Sequence, residues 1–136
     1  MSDAERKALR FFVDVERARR SFWDYCNVLA PDFYLPDRGY LYRVCNRLQE
    51  FIHNDVGVLI VNAPPRHGKS RTASKYVEWV MGQDPTFKIM TGSYNETLST
   101  VFSSAVRDTI SANKVNPYDI VYADIFPETK IKRGDA

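Results

Sequence analysis

The phosphate-loop pattern at residues 63–70 limits the folds open to this chain more than any other feature. It reads Ala-Pro-Pro-Arg-His-Gly-Lys-Ser and follows the apolar run at residues 58–61. A small residue, four variable residues and Gly-Lys-Ser make the Walker A form, which lies between a buried strand and a helix. Alanine stands at position 63, where the pattern usually has glycine. The sequence therefore predicts a loop that binds the phosphates of a nucleoside triphosphate.

The residue types in this loop suit phosphate chemistry. Gly68 has no Cβ atom, so the backbone can approach a phosphate closely. The N–H groups of the loop and the positive end of the following helix favour an anion. We expect Lys69 to contact the β- and γ-phosphates and the Ser70 hydroxyl to bind Mg²⁺. The predicted nucleotide-binding residues are Ala63, Pro64, Pro65, Arg66, His67, Gly68, Lys69, Ser70 and Arg71.

Composition points to a globular chain without unusual chemistry. The chain has 136 residues, enough for one modest domain, and its net charge of +2 is too small to argue for nucleic-acid binding. Cys26 and Cys45 each lie in a helix-like segment, which predicts packed, reduced thiols and neither a disulfide nor a metal site. The two histidines lack the spacing of a zinc site. No apolar run approaches the roughly 20 residues that a membrane span needs.

The pattern along the chain predicts an α/β fold. Apolar residues recur at helical spacing over residues 3–28, 40–53 and 72–81, and again from Asn95 or Thr97 to about residue 112. The basic side chains of the first helix fit a solvated face or a contact with DNA. Residues 58–62 and 87–92 are predicted strands. We expect a P-loop NTPase fold with a parallel sheet, as residues 56–136, after an N-terminal helical segment, residues 1–55.

Four stretches of this sequence resemble the large subunit of tailed-bacteriophage terminase, the motor that packages viral DNA. The Pro-Pro-Arg-His-Gly-Lys-Ser form of the loop is far more specific than a generic Walker A pattern. The resemblance spans about residues 28–128. The stretches are Phe33-Tyr34-Leu35-Pro36, residues 62–70, Ser93-Tyr94-Asn95 and residues 102–108.

This resemblance implies an ATPase that drives double-stranded DNA into a procapsid in the host cytoplasm. It implies ATP and Mg²⁺ as cofactors, and the portal protein, the small terminase subunit and further copies of the chain as partners. Lys69 and Arg66 are the catalytic residues it implies, with Arg66 at the γ-phosphate. Arg66 could equally be a solvent-facing loop residue. The Ser93–Asn95 segment could couple nucleotide state to DNA, or Asn95 could simply cap a helix.

A second ATPase motif, four apolar residues followed by Asp-Glu, is missing from the sequence. The nearest match is residues 120–125, but Ile125 follows Asp124, so the acid that would activate water is absent. The chain also ends before the nuclease domain that the resemblance implies. We therefore expect an N-terminal part of the ATPase domain that binds ATP but hardly hydrolyses it. Such a part would expose apolar strand edges and helix faces and tend to self-associate.

Two alternatives fit the same sequence. The chain could belong to another P-loop ATPase, such as a helicase-like enzyme. A small-molecule kinase would need an acceptor pocket and an arginine-rich lid, which the sequence does not suggest. Alternatively, the N-terminal helices could dock a protein partner without any enzymatic activity, and the loop at residues 63–70 would then be vestigial.

Overall fold

The fold is helical in the part of the chain that the structure describes. A computed structural model describes residues 1–54 and 57–131. The helices are α1 (Asp3–Arg20), α2 (Phe22–Leu29), α3 (Gly39–His53), α4 (Lys69–Gln83), α5 (Glu96–Ser111) and the single turn α6 (Tyr122–Ile125). The predicted boundary between residues 55 and 56 lies outside the described residues. No helix in the described ranges has both the length and the apolar composition needed to cross a membrane.

The predicted parallel sheet is wrong for the described residues, which contain helices and loops but no strand. Residues 58–62 and 87–92 were expected to be its strands. A strand needs a neighbour that pairs with its backbone. In the described chain residues 58–62 make no backbone hydrogen bond, and the bond from the Phe87 N–H to the Asp84 carbonyl, at 3.0 Å, closes a local turn and pairs no strand. A short apolar run shows that a segment could be buried, but not that a partner strand is present. The α/β classification of the fold is therefore corrected to an all-helical one.

The helices also begin and end differently from the prediction. Residues 3–28 form two helices because Ser21 interrupts them, its hydroxyl accepting the Asp24 N–H at 3.3 Å as the cap of α2. Helix α4 starts at Lys69 rather than Thr72. It continues to Gln83, two residues beyond the predicted end at residue 81.

The core forms where the N-terminal helices pack on α4. Trp79 of α4 contacts the Phe22 ring of α2, with ring centroids 5.7 Å apart, and its indole N–H donates to the Ala18 carbonyl of α1 at 3.1 Å. Both cysteines are fully buried, which confirms that they are packed thiols in this structure. The same core extends to α6 and the residue after it. Its buried members are Val15, Ala18, Phe22, Tyr25, Cys26, Ala30, Tyr34, Leu41, Cys45, Trp79, Val80, Val106, Ile110, Tyr122, Ile125 and Phe126.

A buried carboxyl group lies inside this core. Glu78 of α4 is 1% exposed, and its Oε1 atom accepts the Tyr25 hydroxyl at 2.8 Å and the Lys75 ammonium at 3.2 Å. Its Oε2 atom has no hydrogen-bond partner among the described residues. Burial is the main cause that raises the pKa of Glu78 above its ordinary value, and Lys75 and the Tyr25 hydroxyl act against that rise. The folded protein therefore disfavours the charged form of Glu78 relative to water.

This burial predicts a pH dependence that Glu78→Gln should remove. The pKa of Glu78 is higher in the folded state than in the unfolded state, so protonation of Glu78 stabilises the folded protein. This stabilisation is complete at a pH below the unfolded pKa of about 4.3. That contribution is lost as the pH rises through the folded pKa. As the pH rises from the unfolded pKa through the folded pKa of Glu78, the free energy of unfolding of the wild-type protein should fall relative to that of Glu78→Gln. Urea titration at several pH values measures this difference. A difference between the two proteins that stays constant, or that grows in favour of the wild type, would contradict the prediction.

Candidate phosphate-binding site

The phosphate loop turns sharply twice before it enters α4. Gly68 is the N-cap residue of α4 and has a φ of 86°, in the left-handed region that glycine adopts without strain. Arg66 also has a positive φ, 65°, which is uncommon for a residue with a side chain. These turns place Lys69, Ser70 and Arg71 in the first turn of the helix, directly after the loop. The predicted loop-to-helix transition is therefore present, although the strand before it is not.

The N-terminus of α4 has unpaired hydrogen-bond donors. The first backbone bond of the helix runs from the Thr72 N–H to the Gly68 carbonyl, at 2.9 Å. In the described chain, the N–H groups of Lys69, Ser70 and Arg71 have no backbone acceptor, and no side chain caps this end. Helix α4 has 15 residues, so its dipole adds positive potential at the same point. These groups together form an environment that favours an anion.

Positive side chains surround this helix end. Arg66, Lys69 and Arg71 are all exposed, and no ion pair in the described ranges involves any of them. They border a cavity of about 380 Å³ next to the loop. Its described lining contains no acidic residue and consists of Phe33, Pro65, Arg66, Gly68, Lys69, Ser70 and Arg71. The electrostatic character of the cavity is therefore positive.

Phe33 connects the loop before α3 to the phosphate loop. The guanidinium groups of Arg38 and Arg71 lie over its ring, 5.0 and 4.6 Å from the ring centroid, which is cation–π geometry. A Cβ atom at Gly68 would come within 2.6 Å of the Phe33 ring, so only glycine permits this approach. Phe33 belongs to one of the four stretches of resemblance, but its contact with the loop was not predicted. Nothing in its local pattern indicates that it packs on a loop 35 residues later.

The remaining predicted residues occupy different surroundings. His67 remains within the loop, where its Nδ1 atom is 3.0 Å from the Pro65 carbonyl oxygen and its ring centroid is 5.8 Å from that of Tyr40. Pro64 and Pro65 are exposed. Ala63 is half-buried and lines a second, larger cleft. The structure thus brings Pro65, Arg66 and residues 68–71 together at the smaller cavity, while Ala63 and His67 line the larger cleft.

The larger cleft, of about 850 Å³, lies between α3, α4 and α5. Lys69 and Ser70 lie on its wall, and so does Ser93, so the Ser93–Asn95 segment borders the same space as the phosphate loop. The Asn95 side chain accepts the Leu98 N–H at 2.9 Å and begins α5. The predicted helix cap at Asn95 is therefore confirmed. A coupling role for this segment remains a prediction.

The nearest match to a second ATPase motif has a structural role here. Asp124 lies in α6, where one carboxylate oxygen accepts the Val121 N–H at 2.9 Å and the other lies 2.9 Å from the Lys114 ammonium. This carboxylate stabilises a helix turn and is not at the end of a strand. Among the described residues there is also no group of three or more His, Cys, Asp or Glu side chains arranged to hold a metal ion.

Comparison of the chain with protein-family models, with curated proteins and with solved structures found no match.

Proposed function

We propose that residues 63–71 bind the phosphates of ATP. The observation that carries this proposal is the open N-terminus of α4, where three consecutive N–H groups lack an acceptor in the described chain. The sequence of the loop supports it, since Gly68, Lys69 and Ser70 have the residue types and spacing that phosphate binding uses. The backbone at Gly68 supports it as well, because the left-handed turn directs the chain into the helix without a Cβ atom in the way.

The side chains around the loop fit a triphosphate. Lys69 provides a compact positive charge next to the free N–H groups, and Arg66 and Arg71 provide guanidinium groups that can bind phosphate oxygens in pairs. All three are exposed, and none is neutralised by an acid in the part of the chain that the structure describes. A ligand would therefore not have to displace an internal ion pair. The three positive charges favour the binding of a nucleoside triphosphate or diphosphate over that of the uncharged nucleoside.

Magnesium fits this site as a companion of the nucleotide. A bound Mg²⁺ ion neutralises phosphate charge, and such ions take most of their ligands from phosphate oxygens and water. The Ser70 hydroxyl, in the first turn of α4, is the group of this chain that would hold it. We therefore propose ATP with Mg²⁺, and not ATP alone, as the physiological ligand.

The wider role we propose is in the ATP-driven packaging of double-stranded viral DNA. The four stretches that resemble the terminase large subunit support it, and the portal protein and the small terminase subunit would be partners in that process. The described residues that line the cavity beside the loop include no carboxylate that could activate water. We accordingly propose that this chain binds ATP but turns it over very slowly by itself.

The test is calorimetric titration of Mg-ATP into the wild-type chain and into Lys69→Ala. We expect the wild type to bind and the variant to lose binding, because the variant lacks the cation next to the helix N-terminus. Lys7→Ala is the matched control, since it removes another exposed lysine, from α1 and not from the loop. Absence of binding in the wild type, or unchanged affinity in Lys69→Ala, would overturn the proposal.

The packaging role is tested on the same proteins. Double-stranded DNA should change the affinity of the wild-type chain for Mg-ATP if nucleotide and DNA binding are coupled. An affinity that DNA leaves unchanged, in a protein that does bind Mg-ATP, would favour one of the alternatives over a packaging motor.

A further inference from the structure

Residues 57–62, Gly-Val-Leu-Ile-Val-Asn, have backbone groups without partners. None of their N–H or C=O groups makes a hydrogen bond to any residue within the described ranges. The segment lies between α3 and the phosphate loop and has no regular secondary structure. Unpaired backbone donors and acceptors along a short apolar segment are the features that recruit another extended chain by strand addition.

The side chains of this segment alternate in exposure as those of a half-covered strand do. Val58 and Ile60 are 72% and 75% exposed, whereas Val61 is 37% exposed and Leu59 is half-buried. Val61 also lines the larger cleft, so one side of the segment faces this chain and the other faces outward. A period of two in exposure is the side-chain pattern of a β-strand. The outward side presents large apolar groups that a partner would remove from water.

We propose that residues 58–62 pair with the same residues of a second copy of this chain, antiparallel about a two-fold axis at Ile60. In this register Ile60 lies opposite Ile60 of the other copy, Leu59 lies opposite Val61, and Val58 lies opposite Asn62. A two-fold arrangement uses the same surface of both copies, so each provides and receives the same backbone groups. The pairing does not depend on the proposed binding of ATP.

A second copy is the occupant that the sequence of the segment favours. Residues 57–62 contain no charge and no proline, so an antiparallel pair places no like charges opposite one another. Residues 87–91 form another apolar segment without regular secondary structure, but they carry Lys88, a residue type that natural edge strands use to prevent pairing. Short segments with β-branched residues and no charge are the ones that pair with themselves. One copy of the chain thus presents unpaired backbone groups at residues 57–62, and the same uncharged segment of a second copy can pair with them.

Disulfide cross-linking tests the register directly. The axis at Ile60 brings the two Ile60 Cα atoms to about 4.5–5.5 Å, within the range of about 4.4–6.8 Å that a disulfide spans. The native thiols Cys26 and Cys45 are fully buried, so they do not interfere. Under mild oxidation, Ile60→Cys should form covalent dimers in most of its chains. Val58→Cys, equally exposed, should remain monomeric, because the two Val58 Cα atoms would be about 14 Å apart.

Equal cross-linking of the two variants, or none in Ile60→Cys, would overturn the proposed register. Sedimentation equilibrium on the untagged chain provides the second measurement. The wild type should show a concentration-dependent dimer, Ile60→Lys should be a monomer with unchanged helical circular dichroism, and Met90→Lys should still dimerise. Met90 is the matched control because it is a large apolar residue, 97% exposed, in the segment at residues 87–91. A wild type that is monomeric throughout, or a dimer that Met90→Lys abolishes and Ile60→Lys preserves, would refute the proposal.

Discussion

Replacing Trp79 with alanine is expected to destabilise the protein more than any other single truncation in its core. The side chain is 2% exposed and joins three helices, through its contact with Phe22 and its hydrogen bond to the Ala18 carbonyl. Truncating a buried tryptophan typically lowers the free energy of unfolding by about 3–5 kcal/mol. Small domains are stable by only about 5–15 kcal/mol. Trp79→Ala should therefore remove a large part of the total, measured by urea unfolding followed with far-UV circular dichroism.

Trp23→Ala is the control for this substitution. The chain contains two tryptophans, and Trp23 is half-buried, with its ring beside those of Tyr34 and Tyr42. Its truncation removes the same atoms from a less enclosed site, so its loss of stability should be clearly smaller. If Trp23→Ala destabilises as much as Trp79→Ala, the core is not centred on the contact between α4 and the N-terminal helices.

Gly82→Ala is expected to destabilise the protein, although alanine favours a helix more than glycine does. Gly82 lies within α4, where the change would ordinarily stabilise by about 1 kcal/mol. A Cβ atom at this position would overlap the ring of Phe126, which is itself buried. Overpacking of this kind costs about 1–3 kcal/mol. Because the overlap is with a buried ring, we expect the upper part of this range, so the net loss should be up to about 2 kcal/mol. The midpoint of urea unfolding measures it.

Gly92→Ala is the matched control for this overlap, because a Cβ atom there meets nothing within 4 Å. Its effect should remain within about 0.5 kcal/mol, as for most surface substitutions. A Gly82→Ala variant that is more stable than the wild type would show that the Phe126 ring can move aside, so that helix propensity decides the result.

The phosphate loop shows which structural features can be predicted from neighbouring residues and which cannot. The position of the loop before a helix was predictable because Gly68, Lys69 and Ser70 are consecutive residues of a known pattern. The backbone geometry of that pattern depends only on neighbouring residues. The contact of Phe33 with Gly68 was not predictable, since it joins residues far apart in the chain. The same is true of the buried Glu78 carboxylate, whose partner Tyr25 belongs to a different helix.

The sequence by itself determined the approximate positions of the main helices and the N-terminal cap at Asn95, but not the break between α1 and α2 at Ser21. Helical periodicity and capping depend on residues within a few positions of one another, so they can be predicted from the sequence. Only the tertiary structure decided that residues 58–62 and 87–92 form no sheet among the described residues. An apolar segment becomes a strand only if another backbone pairs with it, and whether such a partner is present is a property of the assembled chain.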